Sequence, residues 1–249
     1  MTRRTLLTLC PTVMVVHPDF VSLASFMCSL PMLFRHREGT LIYQRRNQLR
    51  QFEVEGQSLV VKRFARPNLI NRLVYGIFRK SKARRSYEYA LMLRRIGVGS
   101  PMPVGYFTQR RWWLFFDISY YVCLRSTLPY SYNNIIGHTL SSDEEKQYLR
   151  AIAQTTARMH EAGILHSDYS QGNILFGPGE DGNPRVEVID LNRIRFREVS
   201  LESGCRNYAD RLPTDERQRR IVAEAYAEAR GFDADKCYTC LTKAYESKN

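Results

Sequence analysis

The chain is 249 residues long, with 37 basic and 25 acidic side chains and a formal net charge of +12. That length bounds it to one or two domains with a core that needs no staples. A composition of 44% apolar and 25% charged residues excludes wholesale disorder and fibrous repeats, and no run approaches the ~18 unbroken apolar residues of a spanning helix, which excludes a polytopic membrane protein.

Most of the basic residues are arginine, whose planar fork grips phosphate through two parallel hydrogen bonds. A phosphate-rich partner is therefore favoured: nucleic acid, an anionic membrane surface or a phosphorylated small molecule. A merely solvated basic surface gives the same arithmetic. The cysteines at 10, 28, 123, 205, 237 and 240 are scattered except for Cys237 and Cys240. No second pair or histidine pair stands at ligand spacing, so reduced thiols rather than a metal site are expected.

In chain order, Arg3-Arg4 and the apolar run to Val16 imitate a secretory signal, but Pro11 interrupts the run and no cleavage site follows. Met14 is read as a possible true start, which makes residues 1–13 an extension outside the fold. Thr40 to Tyr43, Gln51 to Val54 and Leu59 to Phe64 read as antiparallel strands separated by polar and Gly-containing turns. A basic stretch from Arg66 to Arg85 leads into a helix over Ser81 to Ile96, closed by Gly97. Val104 to Phe107 and Trp113 to Ile118 are two more strands. Ser142-Asp-Glu-Glu145 reads as a capping box, and Leu149, Ile152, Ala153, Thr156 and Met159 keep helical spacing up to Gly163. A hairpin of Ile174 to Phe176 and Val186 to Ile189 follows, and a helix from Thr214 to Arg230 closes the chain. The order predicts an α+β fold in two lobes, 14–118 and 119–249, forming one domain.

The chemistry concentrates in His166-Ser-Asp168-Tyr-Ser-Gln-Gly-Asn173, the hairpin, and Asp190-Leu-Asn192. A hairpin returns the chain to the end where it began, so Asn173 and Asp190 should meet at its open end. Their oxygens suit Mg²⁺, a hard ion that keeps substrate phosphates as partners. Asp168 enters the same end and is placed to accept a proton from an attacking hydroxyl. The plain alternative is three ordinary turn residues.

This spacing resembles the catalytic loop of the protein-kinase-like superfamily, H-R-D-x-x-x-x-N followed by D-F-G. A kinase also needs a strand lysine for the phosphates and a helical glutamate that holds it. Leu59-Val-Val-Lys62-Arg-Phe64 offers Lys62, unless it is only an exposed strand lysine. Glu88 lies in the following helix, where a surface pair with Arg84 is the alternative role.

With Arg46-Asn47, Val61 to Phe64, Asn71 to Arg85, Ser119 to Val122 and Asp190-Leu-Asn-Arg-Ile-Arg-Phe196, the chain resembles the lipopolysaccharide-core kinases, the Kdo and heptose kinases, from Met14 onward. The resemblance implies a bilobal protein-kinase-like fold: an antiparallel-sheet N-lobe with one helix, and a reduced, mostly helical C-lobe carrying the catalytic hairpin. It implies an ATP- and Mg²⁺-dependent kinase acting on a sugar hydroxyl of the lipid A inner core. Asp168 is then the base, Asn173 and Asp190 the metal ligands, and Lys62, Glu88 and Arg46 the ATP-binding group. The protein would work in the cytoplasm, peripherally at the anionic inner face of the inner membrane.

Departures from the pattern also speak. No G-x-G-x-x-G precedes Lys62; the first turn is Gln44 to Gln48, where backbone amides and Arg46 would cover phosphate. Ser167 replaces the arginine that reads activation-loop phosphorylation, so no such control is expected. No A-P-E segment is present, and the stretch after Asp190 is too short for the helical base of a protein-substrate kinase, which favours a small or lipid-linked acceptor. The basic run Arg79 to Arg85 is a solvated helix start, an anionic-lipid contact or a nucleic-acid patch; arginine at a helix start opposes the dipole, which favours a ligand role. The rivals are a RIO-like serine/threonine kinase, a membrane-associated pseudokinase scaffold and, least favoured, a nucleic-acid-binding module.

Overall fold

A computed structural model describes residues 12–65, 80–112 and 115–247. The expectations at 1–11, Asn71 to Arg79 and Trp113 lie outside the described residues. The chain divides into two compact units, Met1–Glu88 with Met102–Arg125, and Tyr89–Pro101 with Ser126–Asn249.

The first unit is an antiparallel sheet built from β1 (Thr12–Val16), β2 (Thr40–Gln44), β3 (Gln48–Val54), β4 (Gln57–Phe64), β5 (Pro103–Trp112) and β6 (Phe115–Leu124), in the order β1-β5-β6-β4-β3-β2. Two boundaries differ from expectation. Thr12 and Val13 pair with Gln109 and Thr108 in β1, so they are inside the fold. β6 continues to Leu124, paired with Leu59, because Tyr120 and Val122 complete the buried face of the sheet; the division therefore falls after Arg125 rather than after Ile118.

The lobe also carries more than one helix. A 3-10 turn (Pro18–Leu23) leads into α1 (Ala24–Arg35), and the first half of α2 (Lys82–Arg95), up to Glu88, belongs to this unit as well. Leu23, Met27, Leu30 and Phe34 recur on one helical face and are buried against Phe52, Leu59, Val61, Phe107 and Tyr120. Full burial of each such side chain is worth about 1.5–3 kcal/mol. Arg50, itself buried, donates from Nη1 to the carbonyls of Arg37, Glu38 and Gly39 and so fixes the turn between α1 and β2.

The second unit centres on α4 (Ser142–Glu161), preceded by β7 (Tyr130–Ser131) and α3 (Tyr132–Ile136). The cap of α4 is one residue earlier than expected. Ser141 Oγ accepts from the Glu144 amide and the Glu144 carboxylate accepts from the Ser141 amide, which leaves Ser142 as the first helical residue. Leu149, Ile152, Ala153, Thr156 and Met159 are all buried. Then come β8 (Ile164–His166), the hairpin β9 (Ile174–Pro178) and β10 (Pro184–Val188), β11 (Ile194–Phe196), α5 (Leu201–Ala209), α6 (Glu216–Arg230) and α7 (Ala234–Glu246). The chain thus does not finish at Arg230. Gly231 takes φ +67°, a left-handed turn open to glycine, and α7 follows with Cys237 and Leu241 buried.

Candidate functional site

The hairpin is in register from Ile174 opposite Val188 to Pro178 opposite Pro184, with Ile174, Phe176, Val186 and Val188 buried. Its open end is closed by a further hydrogen bond, from the Ile189 amide to the Asn173 carbonyl at 3.0 Å. The Val188 amide donates at 2.9 Å to the carbonyl of Gly99, which runs parallel to β10. A Cβ on Gly99 would stand 2.1 Å from the Val186 carbonyl oxygen, so only glycine permits this approach.

Asp168 follows β8. Its amide donates to His166 Nδ1 at 3.1 Å, and His166 Nε2 lies 3.1 Å from the Ile189 carbonyl. Nδ1 is therefore the acceptor and Nε2 carries the proton, which makes the imidazole neutral. Burial holds the His166 pKa below its ordinary value, against the opposing pull of the Ile189 carbonyl and of Asp190 and Asp168. Asn173 Nδ2 donates to the Asp168 carbonyl at 2.8 Å and to Ser170 Oγ at 3.1 Å. The loop from 168 to 173 is thus folded onto itself. It is also anchored: buried Tyr169 donates its hydroxyl to Thr156 Oγ1 on α4 at 2.7 Å, while that threonine donates to the Ile152 carbonyl. Burial pushes the Tyr169 phenol well above its ordinary range.

A buried relay steadies the loop from behind. Asn207 of α5 donates to the His166 carbonyl at 3.0 Å, and its Oδ1 accepts from His160 Nε2 at 3.1 Å. His160 Nδ1 accepts from the Tyr226 hydroxyl at 2.9 Å, which in turn accepts from Arg230. Burial pulls the His160 pKa down to about 4, with Asn207 opposing.

Asp190 sits in the left-handed region at φ +56° and ψ +47°, a conformation uncommon for a residue with a side chain and frequent at working sites. Asn192 Nδ2 donates to its Oδ1. Asn173, Asp190 and Asp168 therefore converge on one end of the hairpin through the Ile189–Asn173 and Asn173–Asp168 bonds. The donor set fits a hard cation. The amide nitrogen of Asn173 is spent on Asp168 and Ser170, so Oδ1 is the atom it would offer a cation, and Asp190 would offer a carboxylate.

Two arginines were not singled out from the sequence. Arg193 Nη1 lies 3.3 Å from Asp168 Oδ2, and Arg211 Nη1 lies 3.7 Å from Oδ1. The signal for Arg193 was present, since it belongs to Asp190–Phe196; β11 pairs with β8, Ile194 opposite His166, and so sets Arg193 beside the loop. Arg211 carried no sequence signal.

Lys62, Glu88 and Arg46 all fall in the first unit. Lys62 lies on β4 between Leu49 and Tyr121, its Nζ 5.3 Å from the centroid of the Phe64 ring. Arg46 is exposed in the β2–β3 turn, which Asn47 ties to the end of β4 by accepting from the Ala65 amide at 3.1 Å. Glu88 gives one carboxylate oxygen to Arg84 and the other to Lys80, each at 2.7 Å. Burial raises its pKa, but these two hydrogen bonds outweigh burial and hold it below the ordinary value. The pairing with Arg84 weighed from the sequence is therefore present.

Comparison with known proteins adds two findings. The model of the lipopolysaccharide kinase (Kdo/WaaP) family matches residues 132–207, which include Asp168, Asn173 and Asp190 and exclude Lys62, Glu88 and Arg46. A solved structure described as WaaP in complex with acyl carrier protein is similar at a TM-score of 0.63 and 16% identity, over 94% of this chain and 98% of that one. The α+β arrangement, a sheet-rich unit followed by a helical unit with a hairpin, is the protein-kinase-like fold. The family model thus matches under a third of the chain, and the structural likeness shows the fold.

Proposed function

We propose that the protein transfers the γ-phosphate of ATP to a sugar hydroxyl, on Kdo or heptose, of the lipopolysaccharide inner core. The observation that carries this reading is the Asn173–Asp168 hydrogen bond at the open end of the hairpin that leads to Asp190. In this reading the Asp168 carboxylate would serve the acceptor, and the Asn173 amide oxygen and the Asp190 carboxylate would serve a cation.

In this reading Asp168 orients the acceptor hydroxyl and takes its proton as the new oxygen–phosphorus bond forms. Arg193 and Arg211 hold that carboxylate in place. Asn173 and Asp190 are the ligands for Mg²⁺, which when bound neutralises charge on the phosphate oxygens. Lys62 reaches the α/β-phosphates and Arg46 covers them. Glu88 orients Lys62, a role that requires it to exchange its present partners Lys80 and Arg84. That engagement of Glu88 is also what favours the second reading, a scaffold of the same fold without turnover.

Among the described residues no helix is long and apolar enough to cross a membrane. A cytoplasmic site of action and peripheral contact with an anionic surface are part of the proposal. So is a protein partner, because WaaP was solved with acyl carrier protein. The test is labelled γ-phosphate transfer from Mg·ATP to Kdo-lipid A and to a generic protein, with Asp190→Ala as control. Label on the lipid that the control abolishes supports the reading. ATP binding without label on either acceptor supports the scaffold, and label on the protein alone supports a protein kinase.

A further inference from the structure

Beside Asp168 the second unit holds a cleft of about 290 Å³, lined among others by Ser167, Arg195, Arg197, Arg206, Asp210 and Arg211. Three elements build it. Arg195 lies on β11 opposite Leu165, and Arg197 follows two residues on, hence on the same side, its amide bonded to the Gly163 carbonyl at 2.9 Å. Arg206 comes from the last turn of α5, and Arg211 from just beyond it. Among the described residues that line it, four guanidinium groups face one carboxylate, that of Asp210, a net charge of +3. Among the described residues Arg195, Arg197 and Arg206 make no ion pair, whereas Arg193 and Arg211 reach Asp168. Like charges gathered in a concave site oppose one another and cost stability unless an anion joins them.

The adjoining cleft is the contrast. It shares Asp210 and Arg211, but it adds Arg219 on one side and Glu246 on the other, so its charge is balanced. The imbalance therefore belongs to one cleft, and that cleft reaches the carboxylate proposed as base through Arg211.

We propose that this cleft is a phosphate-binding subsite. It would take a phosphate monoester, whose oxygens match the forks of Arg195, Arg197 and Arg206, with the Ser167 and Ser203 hydroxyls as neutral donors. Its volume is close to the lower bound of ligand sites, enough for a phosphosugar unit rather than a whole glycolipid. Resting on the kinase reading, the phosphate is one already carried by the acceptor, so that the enzyme selects a sugar that has been phosphorylated elsewhere.

Two measurements test it on the full chain. Inorganic phosphate is titrated calorimetrically into the wild type, the double variant Arg197→Gln/Arg206→Gln, and Arg219→Gln of the balanced cleft. Saturable binding that weakens at least about tenfold in the double variant and holds in Arg219→Gln supports the subsite. No saturable binding, or equal binding in all three, overturns it. Both altered side chains are exposed, and circular dichroism with a thermal melt checks that the variants fold. KM is then measured with intact and phosphatase-treated lipopolysaccharide core. A KM raised by dephosphorylation in the wild type but not in the double variant supports phosphate carried by the acceptor. A KM indifferent to dephosphorylation overturns that source and leaves free phosphate as the ligand. If no acceptor is phosphorylated, the kinase reading falls, while the titration still decides the subsite.

Discussion

At the scale of single residues, the side chains proposed to work are held in place by their neighbours. Asp168 is fixed through its carbonyl by Asn173 and through its carboxylate by Arg193 and Arg211. Asp168→Ala is expected to lower turnover roughly 10²–10⁴-fold while nucleotide binding, followed by calorimetry, persists. His160 makes a different prediction. Its folded pKa, about 4, lies below the ordinary 6.5 because it is buried. Between those values the unfolded chain binds the additional proton, so the contribution of His160 to stability is complete above about pH 6.5 and is lost as pH falls toward 4. The shift corresponds to roughly 3 kcal/mol. Urea melts from pH 7 to pH 4 are expected to show this loss in the wild type and a shallower slope in His160→Gln. A slope that the substitution leaves unchanged would contradict the assignment.

At the scale of elements, α4 is the post on which the rest of the second unit hangs. Tyr169 ties the loop from 168 to 173 to it, and Glu145 ties α6 to it by pairing with Arg217. The Glu145 side chain is only 4% exposed. Arg217→Ala strands that buried carboxylate and is expected to cost roughly 2 kcal/mol in urea denaturation, with the pair Glu145→Gln/Arg217→Met recovering most of it. This scale also shows what a sequence discloses. β2 to β6, α2, α4 and the hairpin were legible because their periodicity and turn residues are local. α1 carried the same helical spacing in Leu23, Met27, Leu30 and Phe34, but Pro31 within it and the signal-like run before it hid the pattern. The placing of Asn173 and Asp190 at the two ends of the hairpin followed from hairpin geometry alone. Arg211 could not be read, because its approach to Asp168 depends on how α5 packs, and no local spacing encodes that.

At the scale of the whole molecule, a net charge of +12 has to be spent on something. Surface arginines attract anionic interfaces over about a Debye length, roughly 8–10 Å at moderate salt. The protein is expected to cosediment with vesicles containing roughly one-third anionic lipid, to release them as salt rises, and to ignore neutral vesicles. Equal binding to neutral vesicles would remove the electrostatic account. The arginine cleft beside Asp168 makes the charge local as well as general, and in the proposed reading its excess sits where an acceptor would arrive.

The bonds that close the hairpin have a consequence in time rather than in space. The consecutive amides of Val188 and Ile189 donate to carbonyls in two distant parts of the chain, Gly99 and Asn173. Asp190 follows at once, so its departure would release Ile189 first. In deuterated water the two hydrogens act as paired clocks for the open end of the hairpin. Equal, slow exchange is expected if the site is preformed and opens only with the core around α4. If Ile189 exchanges much faster than Val188, the site assembles on demand, and preformation is ruled out without any nucleotide or acceptor in the tube.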